Sequence, residues 1–152
     1  MGDILGGRIK PGSVIGTDMS LQADIPAETM RHSFKTGTNF GLAVGATPVA
    51  REELVYVASG AGVVKGFHAL CIDTGSSASV TFDLKKNGTT VLSSVITITN
   101  ATTDAQVQDA TLSGIPTLAA GDRLTMALAV GSSTGMVGPY AFVTVQETSS
   151  PV

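Results

Sequence analysis

Tryptophan, cysteine and charged side chains are scarce in this chain of 152 residues, and each shortage narrows what the protein can do. It has no tryptophan, and aromatic residues make up 5% of the sequence, so few side chains are available to stack against a sugar ring. The single cysteine, Cys71, cannot form a disulfide within the chain. Either the protein is made in a reducing cytoplasm, or its stability does not depend on disulfides.

The low charge excludes some partners and favours others. Charged residues make up 14% of the chain, against about 25% in a typical soluble domain, and the net charge is −3. We expect no nucleic-acid partner, because duplex binding needs clustered Lys and Arg, and here only Lys85 and Lys86 are adjacent. So weakly charged a surface is typical of a chain that buries area in an assembly, or of a neutral, threonine-rich monomer.

The sequence predicts no membrane partner and no secretory signal. No apolar run approaches the roughly 20 residues that a membrane-spanning helix needs. The first residues, MGDILGGRIKPGS, lack the long apolar stretch of a secretory signal.

The chain divides near residue 50 into two regions of different composition. Residues 1–50 hold eight glycines and three prolines with little hydrophobic periodicity, which predicts an extended N-terminal arm. One helical turn is predicted in this arm at residues 24–32, with Asp24 near its cap and Pro26 in its first turn. Residues 51–152 show short alternating apolar runs separated by turn signals, which predicts a jelly-roll-like antiparallel β-sandwich and an all-β protein.

Eight strands are predicted in the second region from the alternation of apolar and polar residues. They span residues 54–59, 63–73, 79–85, 89–94, 95–100, 106–112, 123–130 and 140–147. Gly66 predicts a bulge or bend in the second of them, and residues 74–78 predict a turn between the second and the third.

The stretch DLKKNGTTVL predicts a tight hairpin around Asn87 and Gly88, because both residue types accept a positive φ. A two-residue loop would place Val91 opposite Leu84. Leu92 would then lie on the outer face near Asp83, where a neighbouring subunit would have to cover it. The alternative is a longer loop with a bulge.

No motif in the sequence predicts a reaction, a cofactor or a bound metal. Residues 60–66, GAGVVKG, differ from a dinucleotide-binding fingerprint because the third glycine is one residue late and no helix follows. His68 and Cys71 are three apart on a strand, which puts them on opposite faces and excludes a shared metal or a Cys–His pair. We therefore predict that the protein is not an enzyme, that Cys71 is buried, and that Asp122 caps a turn.

Part of the chain resembles a known group of virion proteins. The stretches DLKKNGTTVL, the following ITI and LAAGDRLTMAL are similar to those of small β-sandwich proteins of tailed bacteriophages, the capsid decoration or cement proteins. The resemblance covers roughly residues 51–147. It implies a non-enzymatic protein of the capsid exterior, assembled in the host cytoplasm, which cements neighbouring major capsid subunits and is often a homotrimer.

With this role we expect the arm to supply apolar anchors and basic groups for the capsid or for a second subunit. The predicted interface residues are Ile4, Leu5, Arg8, Ile9, Lys10, Val14, Ile15, Ile25, Met30, Arg31, Phe34, Lys35, Phe40 and Leu92. Two other functions remain open. One is a head or tail fibre module that binds a host glycan, and the other is a glycan-metabolising enzyme on a cupin-like β fold, which lacks the expected histidine cluster.

Overall fold

Long β-strands dominate the protein, and two of them run through its whole length. The computed structural model describes residues 31–148. Its strands are β1 (Arg31–Thr38), β2 (Arg51–Val57), β3 (Gly62–Lys86), β4 (Thr89–Thr90), β5 (Ile96–Thr99), β6 (Gln108–Asp109), β7 (Thr117–Leu118) and β8 (Arg123–Thr148). Every strand pair is antiparallel, which confirms the predicted all-β class. Among residues 31–148 no helix is long and apolar enough to cross a membrane.

The sheet is built around β3 and β8, which pair with each other from end to end. On its other side, β8 pairs with β1 through residues 141–148 and with β2 through residues 123–128. β3 pairs on its other side with β7, β6, β5 and β4 in turn. The long pair thus gives two halves, each made of part of β3, part of β8 and three further strands. We call the half with β1, β6 and β7 the first layer, and the half with β2, β4 and β5 the second layer.

The two layers enclose one hydrophobic core. Alternate residues of the first layer, such as Ala69 and Val143, are buried, and so are Phe82, Leu84 and Met126 of the second. All of them belong to one cluster of buried residues, as expected where two sheets pack face to face. The result is an antiparallel sandwich made from a single curled sheet, while the jelly-roll detail stays a prediction.

The prediction of a turn at residues 74–78 is wrong, because β3 and β8 bend together there instead of ending. Gly75 and Gly135 lie across from each other with φ of 71° and 75°, and the pairing register shifts between Thr74 and Ser77. A glycine–serine stretch can thus mark a shared bend as well as a chain reversal. For the same reason the predicted strands 123–130 and 140–147 are one strand. The predicted bulge at Gly66 is confirmed, since the ladder passes from Val64 to Gly66.

The part of the predicted arm that the structure describes belongs to the β domain. Residues 31–38 form β1, and Phe40 is fully buried in the core, with its ring 5.9 Å from that of Phe82. A glycine-containing edge strand and an unpaired segment can have the same sequence pattern, because whether the segment becomes a strand depends on a partner strand that is distant in the sequence. Of the predicted helical turn, Arg31 and His32 begin β1 instead, and residues 24–30 lie outside the described residues.

The predicted hairpin is confirmed, but its consequence for Leu92 is wrong. Asn87 and Gly88 both have positive φ, and the amide of Val91 donates to the carbonyl of Leu84 at 2.9 Å, as a two-residue loop requires. After Val91 the chain leaves β3 and crosses to Leu112, with which Leu92 forms a bridge. Strand alternation therefore no longer applies, and Leu92 is buried.

We predict that the substitution Gly75→Ala lowers the free energy of unfolding by about 2 kcal/mol or more. A Cβ at this position would lie 2.5 Å from the backbone nitrogen of Met136, and φ is positive there. Urea unfolding measures the loss. Gly60→Ala is the control, because a Cβ there meets no atom within 4 Å, and it should change stability by less than about 0.5 kcal/mol. Equal effects of the two substitutions would contradict the role of Gly75 in the bend.

Candidate functional site

The outer surfaces of the two layers differ in chemistry. The first layer presents an apolar and aromatic surface at residues 68–72 and 140–142, and the second presents threonines and ion pairs. We call the first surface the aromatic face and define it by Lys35, Val44, His68, Leu70, Ile72, Asp109, Tyr140 and Phe142. We call the second the polar face and define it by Glu52, Leu54, Thr81, Asp83, Lys85, Thr97 and Thr125.

One row of residues crosses the centre of the aromatic face. Gly37, Phe142, His68 and Asp109 are register partners on β1, β8, β3 and β6. The rings of His68 and Phe142 stack with centroids 4.8 Å apart, and the ammonium of Lys35 lies 5.3 Å from the Phe142 ring. Nδ1 of His68 is 2.5 Å from a carboxylate oxygen of Asp109. These contacts hold the side chains flat against the sheet.

Tyr140 lies two residues before Phe142 on β8 and enlarges the aromatic face. Its ring has room there because the neighbouring residue of β1 is Gly37, which has no side chain. A Cβ at Gly37 would lie 2.9 Å from the Tyr140 hydroxyl and 2.7 Å from the carbonyl of Ala141. The missing side chain lets the Tyr140 ring lie across β1, an arrangement that compensates for glycine in a strand. The Tyr140 side chain still remains 40% exposed, so its ring is open to a binding partner.

A small apolar cleft adjoins Tyr140 at the bend of the long strands. Its volume is about 150 Å³, and it is lined by Asn39, Ala43, Val44, Ile72, Gly138, Pro139 and Tyr140. The amide of Gly138 donates to the carbonyl of Ala46 at 2.9 Å, which holds the loop after β1 against the bend. Val44 and Ile72 are 89% and 47% exposed. Such exposed aliphatic side chains beside a cleft are typical of a protein-binding surface.

The predicted interface residues that the structure describes do not lie together: one is on the aromatic face and others point into the core. Lys35 lies on the aromatic face. Phe34 points inward, with its ring 5.4 Å from that of Tyr56, and Arg31 pairs with Thr148 in the ladder. Phe40 and Leu92 are buried, so neither is available to a partner, which corrects both predictions. The predicted residues that lie outside the described residues are Ile4, Leu5, Arg8, Ile9, Lys10, Val14, Ile15, Ile25 and Met30.

Sequence reasoning did not identify Tyr140, Phe142, Ile72 and Val44 as members of one exposed surface. The signal for two of them was present: in YAFVTVQE the small and β-branched residues alternate with Tyr140 and Phe142, which therefore face outward. Val44 carries no such signal, because its position depends on how the loop after β1 folds against the bend.

Several polar side chains of the described residues brace turns. The carboxylate of Asp104 accepts hydrogen bonds from the backbone amide and the hydroxyl of Thr74, at 2.8 and 2.9 Å, and these bonds lower its pKa. Thr74 is itself buried at the bend of β3. On the polar face Glu52 pairs with Lys85 at 2.7 Å, which lowers the pKa of the carboxyl and raises that of the amine.

The prediction that Asp122 caps a turn is confirmed, and its carboxylate also binds the neighbouring hairpin. Its carboxylate accepts from the amide of Ala119 at 2.8 Å and from the side chain of Asn87 at 2.7 Å, and it lies 2.9 Å from the Lys86 ammonium. The Lys86 bond, followed by those from Ala119 and Asn87, lowers the pKa of Asp122 to about 2. Asp122 thereby ties the turn before β8 to the β3–β4 hairpin.

The remaining features give no reactive cluster within residues 31–148. Cys71 is buried, and burial raises the pKa of its thiol to about 12, so the sulfur stays protonated. His68 and Cys71 lie on opposite faces of β3, as predicted. No group of three or more His, Cys, Asp or Glu residues in the described part of the chain is placed to hold a metal ion. An open cleft of about 310 Å³ on the polar face is lined by Glu52, Leu54, Asn87, Gly88, Arg123 and Thr125.

The scan against protein-family models and the search of curated proteins found no match to this chain.

We predict that Asp122 contributes stability that is lost in acid. Because its pKa is lowered on folding, this contribution is complete above the ordinary value of 3.8 and disappears as the pH falls through about 2. In Asp122→Asn the urea midpoint should be lower at neutral pH and should fall less steeply between pH 4 and pH 2. Parallel curves for the two proteins over that range would contradict the assignment.

Proposed function

We propose that this chain is a non-enzymatic structural protein of a tailed-phage virion. It binds the outer surface of the assembled capsid and cements neighbouring major capsid subunits. The observation that carries the proposal is the aromatic face, a flat and largely apolar surface left uncovered in the described domain. Carboxylates such as Asp104, Asp122 and Glu52 lie elsewhere, where they brace turns or pair with lysines. A surface of this kind favours binding to protein over chemistry on a small molecule.

The choice of a phage capsid rests on the resemblance of DLKKNGTTVL and LAAGDRLTMAL to the decoration proteins. Mass action supports it physically, since a protein that binds the assembled shell and not its free subunits stabilises the shell. Many copies on one particle need only moderate affinity each.

The N-terminal residues are the proposed capsid anchor. Residues 4–15 carry Ile4, Leu5, Ile9 and Ile15 with Arg8 and Lys10 between them, a combination that suits apolar and acidic sites on a shell. Residues 31–50 serve a different purpose, because β1 and Phe40 are parts of the fold. A truncation that tests the anchor must therefore stop at residue 30.

We predict that removal of residues 1–30 weakens capsid binding by about tenfold or more, because each copy loses its anchor and the avidity of the array falls with it. Co-sedimentation with empty capsids of the major capsid protein from the same virion measures the loss. A full-length variant with Ile4, Leu5 and Ile9 changed to Ser should lose as much, which separates apolar anchoring from chain length.

Thermal unfolding by circular dichroism is the control, and both variants should keep the wild-type transition. If the truncated protein binds capsids with full affinity, the anchor is wrong. If the full-length chain does not bind capsids at all, the proposed function is wrong.

A second candidate is a head or tail fibre module that binds a host glycan. The observation that favours it is the exposed ring of Tyr140 beside Phe142, with Asp109 and Lys35 as polar neighbours across the same face. Rings that are open on one side and flanked by hydrogen-bonding groups suit a sugar.

If the second candidate is correct, the chain binds cell-surface polysaccharide on a glycan array, and Tyr140→Ala lowers the affinity by about tenfold. Leu54→Ala on the polar face is the matched control and should bind as the wild type does. A wild-type chain that binds no glycan on the array would exclude this candidate.

A further inference from the structure

The aromatic face approaches the size of a small protein interface. At its centre β1, β8, β3 and β6 lie side by side, which gives a width of about 19 Å at the usual strand spacing. Along β3 the face runs from Gly66, which lies in the same row as Lys35 and Thr144, to Ile72, and this gives a length of about 20 Å. The flat area is at most about 400 Å² per copy, so two copies would bury about 800 Å² of sheet surface. The loop that carries the exposed Val44 adds to this and brings the total towards the roughly 1,000 Å² of a specific protein interface.

The charges of this face lie at its two margins. Lys35 is on β1 at one margin, and Asp109 is on β6 at the other. Phe142 and His68 lie between them, on the two central strands. β1 and β6 are three strand spacings apart, or about 14 Å. The face therefore has a positive margin, an apolar centre and a negative margin.

We propose that the aromatic face is a self-association surface, on which a second copy of this chain packs through the same face. The two copies are related by a two-fold axis parallel to β3 and β8. Rotation about this axis turns the face over and exchanges its margins. Lys35 of one copy then lies opposite Asp109 of the partner subunit, and the apolar centre meets itself, as in a sandwich of two sheets about 10 Å apart.

Charge complementarity selects this arrangement among the symmetric ones. A two-fold axis that also lies between the two faces but runs perpendicular to the strands would place Lys35 opposite the partner's Lys35. A three-fold ring joins two different patches and cannot bury one face against itself. The mass of the particle in solution therefore separates the proposed pair from the trimer that the sequence resemblance implies.

Two exposed residues allow a direct test on the isolated full-length chain. Size-exclusion chromatography with light scattering should give twice the chain mass of 15.4 kDa. The substitutions Val44→Asp and Ile72→Asp, made singly, each place a carboxylate against the partner. Each should raise the dissociation constant about 100-fold or more, because a charge buried without a partner is costly.

Leu54→Asp is the matched control, because Leu54 is 55% exposed but lies on the polar face. It should leave the mass unchanged. Val44 is the more exposed of the two test positions, so Val44→Asp keeps the test valid if Ile72→Asp unfolds. Thermal unfolding of each variant checks the fold.

A charge exchange tests the pairing of the margins. Lys35→Glu alone and Asp109→Lys alone should each weaken the pair, because like charges then meet across the interface. The double variant should recover most of the loss. This recovery cannot come from within one copy, because the double variant still lacks the Lys35–Phe142 contact and the contact between His68 and Asp109.

Four results would overturn the inference: a monomeric wild type, a trimer, a pair that survives Val44→Asp, or a double variant no better than the single ones. The inference adds to the proposed function but does not need a capsid. A chain that pairs and ignores capsids would refute the proposed function alone, and a monomer that still binds capsids would refute the pairing alone.

Discussion

The pairing of β3 with β8 is the constraint on which the rest of the structure depends. Each of the other strands is attached to one of these two, so the course of the long pair decides where every strand lies. The pair changes direction where Gly75 and Gly135 meet, and Thr74 is held there by Asp104. One local feature thus creates both layers, and it also places Ile72 and Gly138 at the edge of the aromatic face.

The same bend brings β1 and β2 together along one side of the sandwich. The hydroxyl of Thr36 donates to the carbonyl of Val55 at 3.3 Å, and the hydroxyl of Thr38 donates to the Glu53 carboxylate at 2.5 Å. Side chains therefore close this side, and each edge strand shields the other from foreign strands. Sheet-edge pairing with another molecule is therefore disfavoured on this side of the sandwich.

Local features of the fold could be predicted from the sequence, and features that depend on a distant partner could not. Asn87 and Gly88 specify their hairpin by their own backbone preferences, and alternation places Phe82 and Leu84 in the core. β1 escaped prediction because only its register with β8 makes it a strand. Part of the aromatic face could be predicted from the sequence, since the alternation of residue types directs Tyr140 and Phe142 outward. That Asp109 joins their row follows from the pairing of β6, which spans only two residues.

The positions of the few charged side chains suggest a physical role for the low charge of the chain. Asp104, Asp122 and Glu52 are engaged at the bend, at a turn and on the polar face, where they hold strands in place. At the margins of the aromatic face the charged groups are Lys35 and Asp109, and these lie on opposite sides of an apolar centre. Apolar contact alone would allow two such faces to slide or rotate freely, whereas two opposite charges per copy favour one orientation over its alternatives. In the proposed pair, these two charges per copy are therefore what selects one arrangement of the two faces.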